Sequence, residues 1–210
     1  MIAQDGSAGR RYDLAADSAD IGSAEGDILL PSDPFVSPRH ARVTRQNGRY
    51  WVHDLDSVNG IYLRLQQPHA LEHGDLLLIG LEVLRFELLK GSEAGFGNAM
   101  ERGTQLFGSP ITPRHARLCQ RTVEGVTRDV FHLSKDETTI GRELGDIVFS
   151  SDPFMSRRHA SIVRDPQTKA FTAKDLGSSN GTYLAIRGEV EVTHGDHIRI
   201  GQHLFRFEIQ

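Results

Sequence analysis

The sequence of 210 residues has little of what marks several common classes of protein. It holds one cysteine, Cys119, so it can form neither an intramolecular disulfide nor a cysteine-rich zinc site, which suits a reducing compartment. Its longest apolar runs, such as residues 76–79, fall far short of the roughly 20 residues that a membrane-spanning helix needs. Residues 1–5 lack the basic and apolar regions of a signal peptide. We therefore expect a soluble, cytoplasmic chain with no membrane partner.

The chain also lacks an excess of positive charge. It carries 24 Lys and Arg against 28 Asp and Glu, which gives a formal net charge of −4 and an isoelectric point near 6.2. Nucleic-acid-binding proteins usually present a basic face, so we expect no nucleic-acid partner. The 10 histidines form no cluster with zinc-ligand spacing, and we expect no metal and no cofactor. Any anion that this protein binds has to be held by locally gathered charge.

An internal repeat is the strongest feature that the sequence does have. Residues 22–41 align with residues 141–160 without a gap, and residues 54–60 then align with residues 175–181. The later matches are His73-Gly74-Asp75 with His194-Gly195-Asp196, Ile79-Gly80 with Ile200-Gly201, and Arg85-Phe86-Glu87 with Arg206-Phe207-Glu208. The second copy is longer where Gln46-Asn47-Gly48 becomes residues 165–169. Both stretches are rich in turn-forming residues, and an insertion at a turn is what a shared fold tolerates.

Within each repeat the periodicity is two. Short alternating segments, such as residues 160–164, 171–174 and 197–200, are separated by Gly, Pro, Asn or Asp, which is typical of an all-β sandwich or barrel. We predict an all-β fold of two tandem sandwiches, residues 1–89 and 114–210, joined by a linker at 90–113 that contains Gly, Ser and Pro. Each repeat is expected to begin with a hairpin: residues 116–121 with 129–133 in the second, and residues 1–4 with 11–14, the first strand clipped, in the first.

Three polar loops of the second repeat carry a distinctive set of side chains. Arg142 follows a strand, Ser156-Arg157-Arg158-His159 enters a strand, and Ser178-Ser179-Asn180-Gly181 forms a turn. Guanidinium groups match phosphate oxygens bidentately, a hydroxyl adds a short charge-assisted hydrogen bond, and an Asn amide can both donate to and accept from a peptide main chain. Loops at one end of a rigid sandwich commonly collect binding residues. This inventory fits a phosphopeptide better than a free metabolite.

The pattern Gly-Arg, then Ser-Arg-x-His, then Ser-x-Asn-Gly resembles the forkhead-associated (FHA) domain, a reader of phosphorylated motifs. The resemblance covers both repeats and implies two tandem FHA-like β-sandwiches that bind phosphothreonine peptides through loops at one end. It implies that Arg142, Ser156 and Arg157 contact the phosphate and that Ser179 and Asn180 hold the peptide backbone. It assigns loop geometry to the remaining matched residues, Gly141, His159 and Gly181.

The first repeat departs from this pattern where charge matters. Arg142 is matched by Ser23, Arg157 by Pro38 and Ser179 by Val58, while the residues matching Gly141, His159 and Asn180 are retained. Arg39 is one position removed, and a shift of one residue on a strand turns the side chain to the other face. We therefore expect the first repeat to be a degenerate scaffold that does not bind phosphate and serves to stabilise, space or dimerise the protein.

The resulting prediction is a non-enzymatic adaptor in Ser/Thr kinase signalling. Its second repeat binds a phosphothreonine-containing protein or peptide, and its partners include a Ser/Thr kinase or that kinase's substrate. The strongest alternative is a purely structural or oligomerising module without phosphate binding, in which Arg142 only forms a surface salt bridge with Glu143 or Asp146. An enzyme is a weaker alternative. Residues 177–181 satisfy G-x-S-x-G, but a nucleophile elbow needs a helix after the turn, and the sequence continues here as a strand.

Overall fold

A computed structural model describes residues 1, 9–14, 16–91 and 97–209. The fold is all-β, as predicted. Among the described residues no helix is long and apolar enough to cross a membrane. The strands are β1 (Ser18–Gly22), β2 (Ile28–Leu29), β3 (Ala41–Gln46), β4 (Arg49–Asp54), β5 (Ile61–Arg64), β6 (His69–Leu71), β7 (Leu76–Ile79), β8 (Glu82–Leu88), β9 (Met100–Glu101), β10 (Thr104–Gln105), β11 (Ala116–Arg121), β12 (Thr127–Leu133), β13 (Glu137–Gly141), β14 (Ile147–Val148), β15 (Ala160–Arg164), β16 (Phe171–Asp175), β17 (Thr182–Ala185), β18 (Glu189–Val192), β19 (His197–Ile200) and β20 (His203–Arg206).

The chain divides into two compact units. Unit one comprises Met1–Arg64 and Tyr183–Gln210. One of its sheets has the order β18-β4-β3-β1-β2, and the other contains β17-β5-β19-β20. Buried aliphatic side chains of both sheets form a single core cluster, which includes Val43, Val52, Ile61, Val192 and Ile198. The apolar positions of these short strands thus close a sandwich, as their alternation predicts.

Unit two is the continuous segment Leu65–Thr182. Its sheets have the orders β14-β13-β15-β16-β6 and β12-β11-β8-β7. Phe86 on β8 packs against Phe171 on β16, with ring centroids 5.2 Å apart, and both rings are buried. The hairpin predicted at the start of the second repeat is confirmed, because β11 pairs with β12 in antiparallel register from Ala116↔Leu133.

Neither unit is one sequence repeat, because the last strands of the two repeats are exchanged. In unit one, β18 from the second repeat pairs with β4 from the first, with Glu191 opposite Trp51. In unit two, β6 from the first repeat pairs with β16 from the second, with Leu71 opposite Phe171. The predicted segments 1–89 and 114–210 therefore differ from the compact units of the structure.

The segment predicted as a linker, residues 90–113, also has a different setting. Strands β8 and β11 on either side of it pair with each other in antiparallel register, from Ala116↔Leu88 to Arg121↔Val83. The segment is thus the connection of a long hairpin inside unit two, and it contains the short pair β9 and β10. Its residues 92–96 lie outside the described part of the chain.

Matching polar contacts hold the exchanged strands in both units. In unit two, Asp152 of the Ser-Asp-Pro-Phe motif accepts a hydrogen bond from the backbone amide of Leu81 at 2.7 Å. In unit one, Asp33 accepts the same bond from Gln202, also at 2.7 Å. Both carboxylates are buried, and a Cβ at the preceding Gly80 or Gly201 would lie within 2.5 Å of a carboxylate oxygen. The recurring Ser-Asp-Pro-Phe and Ile-Gly motifs therefore anchor the end of one repeat to the beginning of the other.

The hairpin predicted at the start of the first repeat, residues 1–4 with 11–14, falls largely outside the described residues. The Met1 ammonium donates to the Arg10 carbonyl at 2.9 Å, and the Gly9 amide donates to the Met1 carbonyl at 3.0 Å. Residues 9–14 contain no strand, and residues 2–8 lie outside the described part of the chain. In unit one, no described strand other than β19 pairs with β20. Among its described residues, unit one thus has no strand at the places of β11 and β12.

Candidate functional site

Three loops of unit two meet around Ser156. The Arg142 amide donates to the Ser156 carbonyl at 3.0 Å, which ties the loop after β13 to the loop before β15. The Ser179 amide donates to the Ser156 hydroxyl at 3.1 Å, and the Asn180 side-chain amide donates to the Phe154 carbonyl at 2.7 Å. The loop before β17 is thereby fixed to the same point. All five predicted site residues, Arg142, Ser156, Arg157, Ser179 and Asn180, lie on these loops, and their roles toward a peptide stay predictions.

Gly141 allows the first two of these loops to approach each other. A Cβ at Gly141 would lie 2.3 Å from the Arg157 carbonyl oxygen and 2.5 Å from that of Leu144, so no larger residue fits without moving backbone. Both carbonyls belong to the loops that carry the arginines. The glycine is thus required by a close backbone approach, and Gly22 has the same surroundings in the first repeat.

His159 braces the loops from inside. Its side chain is fully buried, the Ser156 amide donates to Nδ1 at 3.0 Å, and Nε2 lies 3.1 Å from the Gly181 carbonyl. Since Nδ1 accepts a hydrogen bond, the proton of the neutral ring is on Nε2, which donates to Gly181. A buried ring with both nitrogens engaged has no free group for binding a ligand. His40 makes the same pair of bonds in the first repeat, to Ser37 and Gly60.

Arg142 and Arg157 meet at one carboxylate. Arg157 Nε donates to Glu143 Oε2 at 2.8 Å, and Arg142 Nη2 donates to Glu143 Oε1 at 3.3 Å. The side chains of Arg142, Arg157 and Glu143 are 36%, 67% and 47% exposed, so solvent screens these ion pairs. The two guanidinium groups therefore converge on a solvent-accessible anion position, which Glu143 holds. The salt bridge to Glu143 that the alternative interpretation of Arg142 invokes is present.

Asp175 shapes the loop that carries Ser179 and Asn180. Its carboxylate accepts hydrogen bonds from the Gly177 and Ser178 amides and from the hydroxyls of Ser178 and Thr182, at 2.7–2.9 Å. Burial by itself raises the pKa of Asp175, but these hydrogen bonds outweigh it, and the pKa lies below its usual range. The sequence-based prediction names Ser178 only as part of the turn, and it assigns no role to Asp175. A signal for them exists, because Asp54 and Ser57 recur at the same places in the first repeat.

Asp146 anchors the loop that carries Arg142. The Lys135 ammonium donates to one of its oxygens, and the amide and hydroxyl of Thr139 donate to the other at 2.8 and 3.0 Å. The hydrogen bond from Lys135, followed by the one from the Thr139 amide, lowers the pKa of Asp146 to about 2. Asp146 is therefore ionised at neutral pH and engaged with Lys135 and Thr139.

The corresponding loops of unit one have the same backbone contacts and a different charge. The Ser23 amide donates to the Ser37 carbonyl at 3.0 Å, and the Val58 amide to the Ser37 hydroxyl at 3.1 Å. Val58 is 76% exposed at the place of Ser179. Arg39 lies 3.9 Å from Asp20 and 4.0 Å from Glu25. The loop architecture is thus retained where the two site arginines are replaced by Ser23 and Pro38.

The turn that matches G-x-S-x-G leads into strand β17, so the strand-turn-helix setting of a nucleophile elbow is not formed there. Across residues 1, 9–14, 16–91 and 97–209, no group of three or more His, Cys, Asp or Glu side chains could hold a metal ion. The chemistry that these loops offer is hydrogen bonding and charge pairing with an anion.

Comparisons with known proteins identify the family. The profile of the FHA domain matches residues 9–80 and 138–201. The oxoglutarate dehydrogenase inhibitor of Corynebacterium diphtheriae is 34% identical over 122 residues, which cover 57% of this chain and 81% of that protein. FhaB of Mycolicibacterium smegmatis, an FHA domain-containing protein, is 35% identical over 63 residues, or 30% of this chain and 41% of FhaB.

Among solved structures, Mycobacterium tuberculosis EmbR in complex with a low-affinity phosphopeptide is 34% identical and covers 42% of this chain and 26% of that chain, with a TM-score of 0.25. The FHA profile matches both repeats and more than half of this chain. The chain is therefore a member of the FHA-domain family, with two copies in tandem.

Proposed function

We propose that this chain is a phosphothreonine-peptide-binding adaptor that binds through the second-repeat loops of unit two. The observation that carries the proposal is the convergence of Arg142 and Arg157 on the Glu143 carboxylate, on the loops that Ser156 and Asn180 also occupy. A phosphate ester in the position of that carboxylate would meet both guanidinium groups. Its partner is a phosphothreonine-containing protein, a Ser/Thr kinase or its substrate, met in the cytoplasm.

The strength of such a site comes from local charge. A phosphothreonine carries about −1.5 to −2 charges near neutral pH, and a hydrogen bond to a charged group contributes about 1.5–3 kcal/mol. Glu143 carries a single charge, so the more highly charged phosphate is the stronger competitor for the arginines. This local attraction does not require the whole molecule to be basic, in keeping with its net charge of −4.

The first-repeat loops serve, in this proposal, as a phosphate-independent scaffold. Ser23 and Pro38 stand at the arginine positions, and Arg39 is engaged with Asp20 and Glu25. The retained Gly22 and His40 contacts keep the loop shape without the cationic groups. Restoring one arginine, as in Ser23→Arg, is expected to leave these loops unable to bind a phosphopeptide.

Binding of a phosphothreonine peptide library to the full chain tests the proposal. We expect Arg142→Ala to weaken binding by about 100-fold or more, since it removes charge-assisted hydrogen bonds to the phosphate. Arg39→Ala, the matched change in unit one, is expected to leave affinity unchanged. Calorimetry measures both, and circular dichroism confirms that each variant is folded.

An unchanged affinity in Arg142→Ala would contradict the site assignment. Absence of any phosphate-dependent binding by the folded wild-type chain would favour the purely structural module. Binding that Arg39→Ala weakens and Arg142→Ala leaves unchanged would place the site in unit one.

A further inference from the structure

The sheet that contains β1, β3 and β4 carries matched charges on its outer face, the side away from the core of unit one. Arg42 on β3 donates to both oxygens of the Asp20 carboxylate on β1, at 2.6 and 2.8 Å, and Arg39 lies 3.9 Å from Asp20. His53 on β4 contacts Glu189 of the exchanged strand β18 at 2.9 Å. The basic side chains beside the first-repeat loops therefore have carboxylate partners within their own unit.

The corresponding sheet of unit two has cations at two of these places and no acid at the others. Arg158 stands at the place of Arg39, and Lys174 on β16 stands at the place of His53. Neutral residues replace the other charged groups: Thr139 replaces Asp20, Leu144 replaces Glu25, Pro68 replaces Glu189 and Ser161 replaces Arg42. Unit two thus keeps basic groups beside its loops and loses the carboxylates that neutralise them in unit one.

The backbone holds Arg158 as it holds Arg39. In each unit the residue after this arginine, His159 or His40, donates its amide to a carbonyl of the neighbouring strand, at 2.8 and 2.9 Å. Arg158 therefore stands beside β13 at the point where Arg39 stands beside β1. In unit one this point is close enough to the sheet for an arginine to approach two carboxylates.

The two cations of unit two have no partner of their own. Arg158 and Lys174 are both exposed, and neither forms a hydrogen bond or an ion pair within the described part of the chain. Asp146 is engaged with Lys135, and Glu137 lies at the end of β13 away from the loops. Both cations are therefore available to a carboxylate that comes from outside.

These cations adjoin the proposed phosphate-binding loops. Arg158 follows Arg157 directly in the chain. The Leu176 amide donates to the His159 carbonyl at 2.9 Å, so β15 and β16 stay side by side up to the loops, and Lys174 stands at the loop end of β16. Neighbouring strands are about 4.8 Å apart, and an extended peptide advances about 3.3 Å per residue. A peptide anchored by its phosphate therefore reaches this face within a few residues.

We propose that Arg158 and Lys174 bind acidic side chains on either side of the phosphothreonine, so that the ligand of this site is an acidic phosphothreonine peptide. The inference rests on the proposed function and adds the class of sequence that the site selects. Peptide carboxylates take, in unit two, the part that Asp20, Glu25 and Glu189 have in unit one. A neutral peptide leaves both cations unpaired and a basic peptide is repelled, so the two residues determine specificity.

Two pools of phosphothreonine peptides, offered to the full chain, test the proposal. The positions around the phosphothreonine are degenerate and contain Asp and Glu in one pool, and Asn and Gln at the same frequency in the other. We expect the acidic pool to bind about three- to ten-fold more tightly at low ionic strength, since exposed ion pairs are individually weak. This preference should shrink as salt increases, because salt screens exposed charges.

Two substitutions locate the preference. Arg158→Gln and Lys174→Gln are each expected to lower the preference for the acidic pool by about two- to three-fold, and to leave affinity for the neutral pool within about two-fold. Lys169→Gln is the matched control. Lys169 is exposed in the turn between β15 and β16, at the far end of these strands from the loops, so the same change in net charge there should leave the preference unchanged.

A carboxylate placed beside Arg158 gives an independent check. Leu144 is 54% exposed and stands at the place of Glu25, whose carboxylate lies 4.0 Å from Arg39. Leu144→Glu is expected to lower the preference as Arg158→Gln does, because the new carboxylate pairs with the arginine. Leu144→Gln, which adds a side chain of the same size without charge, should leave the preference unchanged.

The outcomes separate this inference from the function on which it rests. Equal affinity of the wild-type chain for the two pools would overturn the inference and leave the phosphopeptide site standing. A full preference in the folded variant with both Arg158→Gln and Lys174→Gln would overturn it as well. Failure of both pools to bind would contradict the phosphopeptide function itself. Circular dichroism confirms that each variant is folded.

Discussion

The carboxylate of Glu143 already occupies the position where two arginines meet. It accepts from Arg157 at 2.8 Å and from Arg142 at 3.3 Å, so an incoming phosphate has to displace it or approach beside it. The ion pairs are exposed, and such pairs contribute little to stability. The carboxylate therefore stabilises the free loops slightly and opposes a second anion at the same place.

Removing the charge of Glu143 tests this competition. We expect Glu143→Gln to raise affinity for a phosphothreonine peptide by about three- to ten-fold, since it frees both guanidinium groups and removes a like charge. The gain should shrink as salt increases, because screening weakens the repulsion. Calorimetry at two ionic strengths measures both effects.

Glu137→Gln supplies the matched control for this change. Glu137 is an exposed carboxylate at the opposite end of β13 from Arg142. Glu137→Gln changes the net charge of the protein by the same amount as Glu143→Gln, but at a position away from the loops that carry the arginines. Affinity that Glu143→Gln lowers, or that both variants raise equally, would argue against Glu143 as the competing anion.

At the residue scale, the sequence predicts which residues lie on the site loops better than it predicts the hydrogen bonds and ion pairs between them. Arg142, Ser156, Arg157, Ser179 and Asn180 stand out because a spaced motif contains them, and the structure places them on loops joined by hydrogen bonds. The sharing of one carboxylate between two arginines depends on loops distant in sequence, so spacing alone does not show it. The sequence-based prediction likewise omits the hydrogen bonds of the Asp175 carboxylate, although Asp54 and Ser57 match Asp175 and Ser178 in the first repeat.

At the scale of elements, the sequence predicts that the final strands of each repeat form, but it does not predict which of the two units they join. Both repeats end in strands with the same His-Gly-Asp, Ile-Gly and Arg-Phe-Glu motifs. Asp33 and Asp152 accept equivalent hydrogen bonds from the turns between the exchanged strands. The final strands of either repeat therefore carry the backbone amide that either aspartate binds. The exchanged pairing includes the ion pair between Arg49 and Glu191, and the first repeat has Ala70 at the place of Glu191.

Engineered disulfides distinguish the two pairings. In β4 and β18, His53 lies directly opposite Glu189, and their side chains contact at 2.9 Å. Lys174 holds in β16 the place that His53 holds in β4, but β16 pairs with β6 instead. We expect His53→Cys with Glu189→Cys to form an intrachain disulfide on mild oxidation, and Lys174→Cys with Glu189→Cys to form none.

Mass spectrometry of tryptic peptides from the oxidised monomer measures the cross-link. Cys119 is 4% exposed and remains in both variants, so it affects them equally. A disulfide in the Lys174 variant, with none in the His53 variant, would show that each repeat keeps its own final strands.

At the scale of the whole molecule, strand exchange makes unit two a continuous stretch of chain. Leu65 and Thr182, its first and last residues, are joined by a hydrogen bond of 2.8 Å from the Leu65 amide to the Thr182 carbonyl. Close termini and a core of its own are properties of an autonomous domain. The boundaries that follow differ from those of the sequence repeat, because β6–β8 replace β18–β20.

We expect a fragment of residues 65–186 to fold cooperatively and to bind a phosphothreonine peptide within about three-fold of the full chain, since all the loop residues lie inside it. Residues 183–186 are included so that the loop with Asn180 and Gly181 does not stand at a free end. Thermal unfolding and calorimetry measure the two properties, and Arg142→Ala in the same fragment is the folded, non-binding control. If this fragment is unfolded while residues 114–210 fold and bind, then β18–β20 are the native complement of the second repeat, and the exchange described here is wrong.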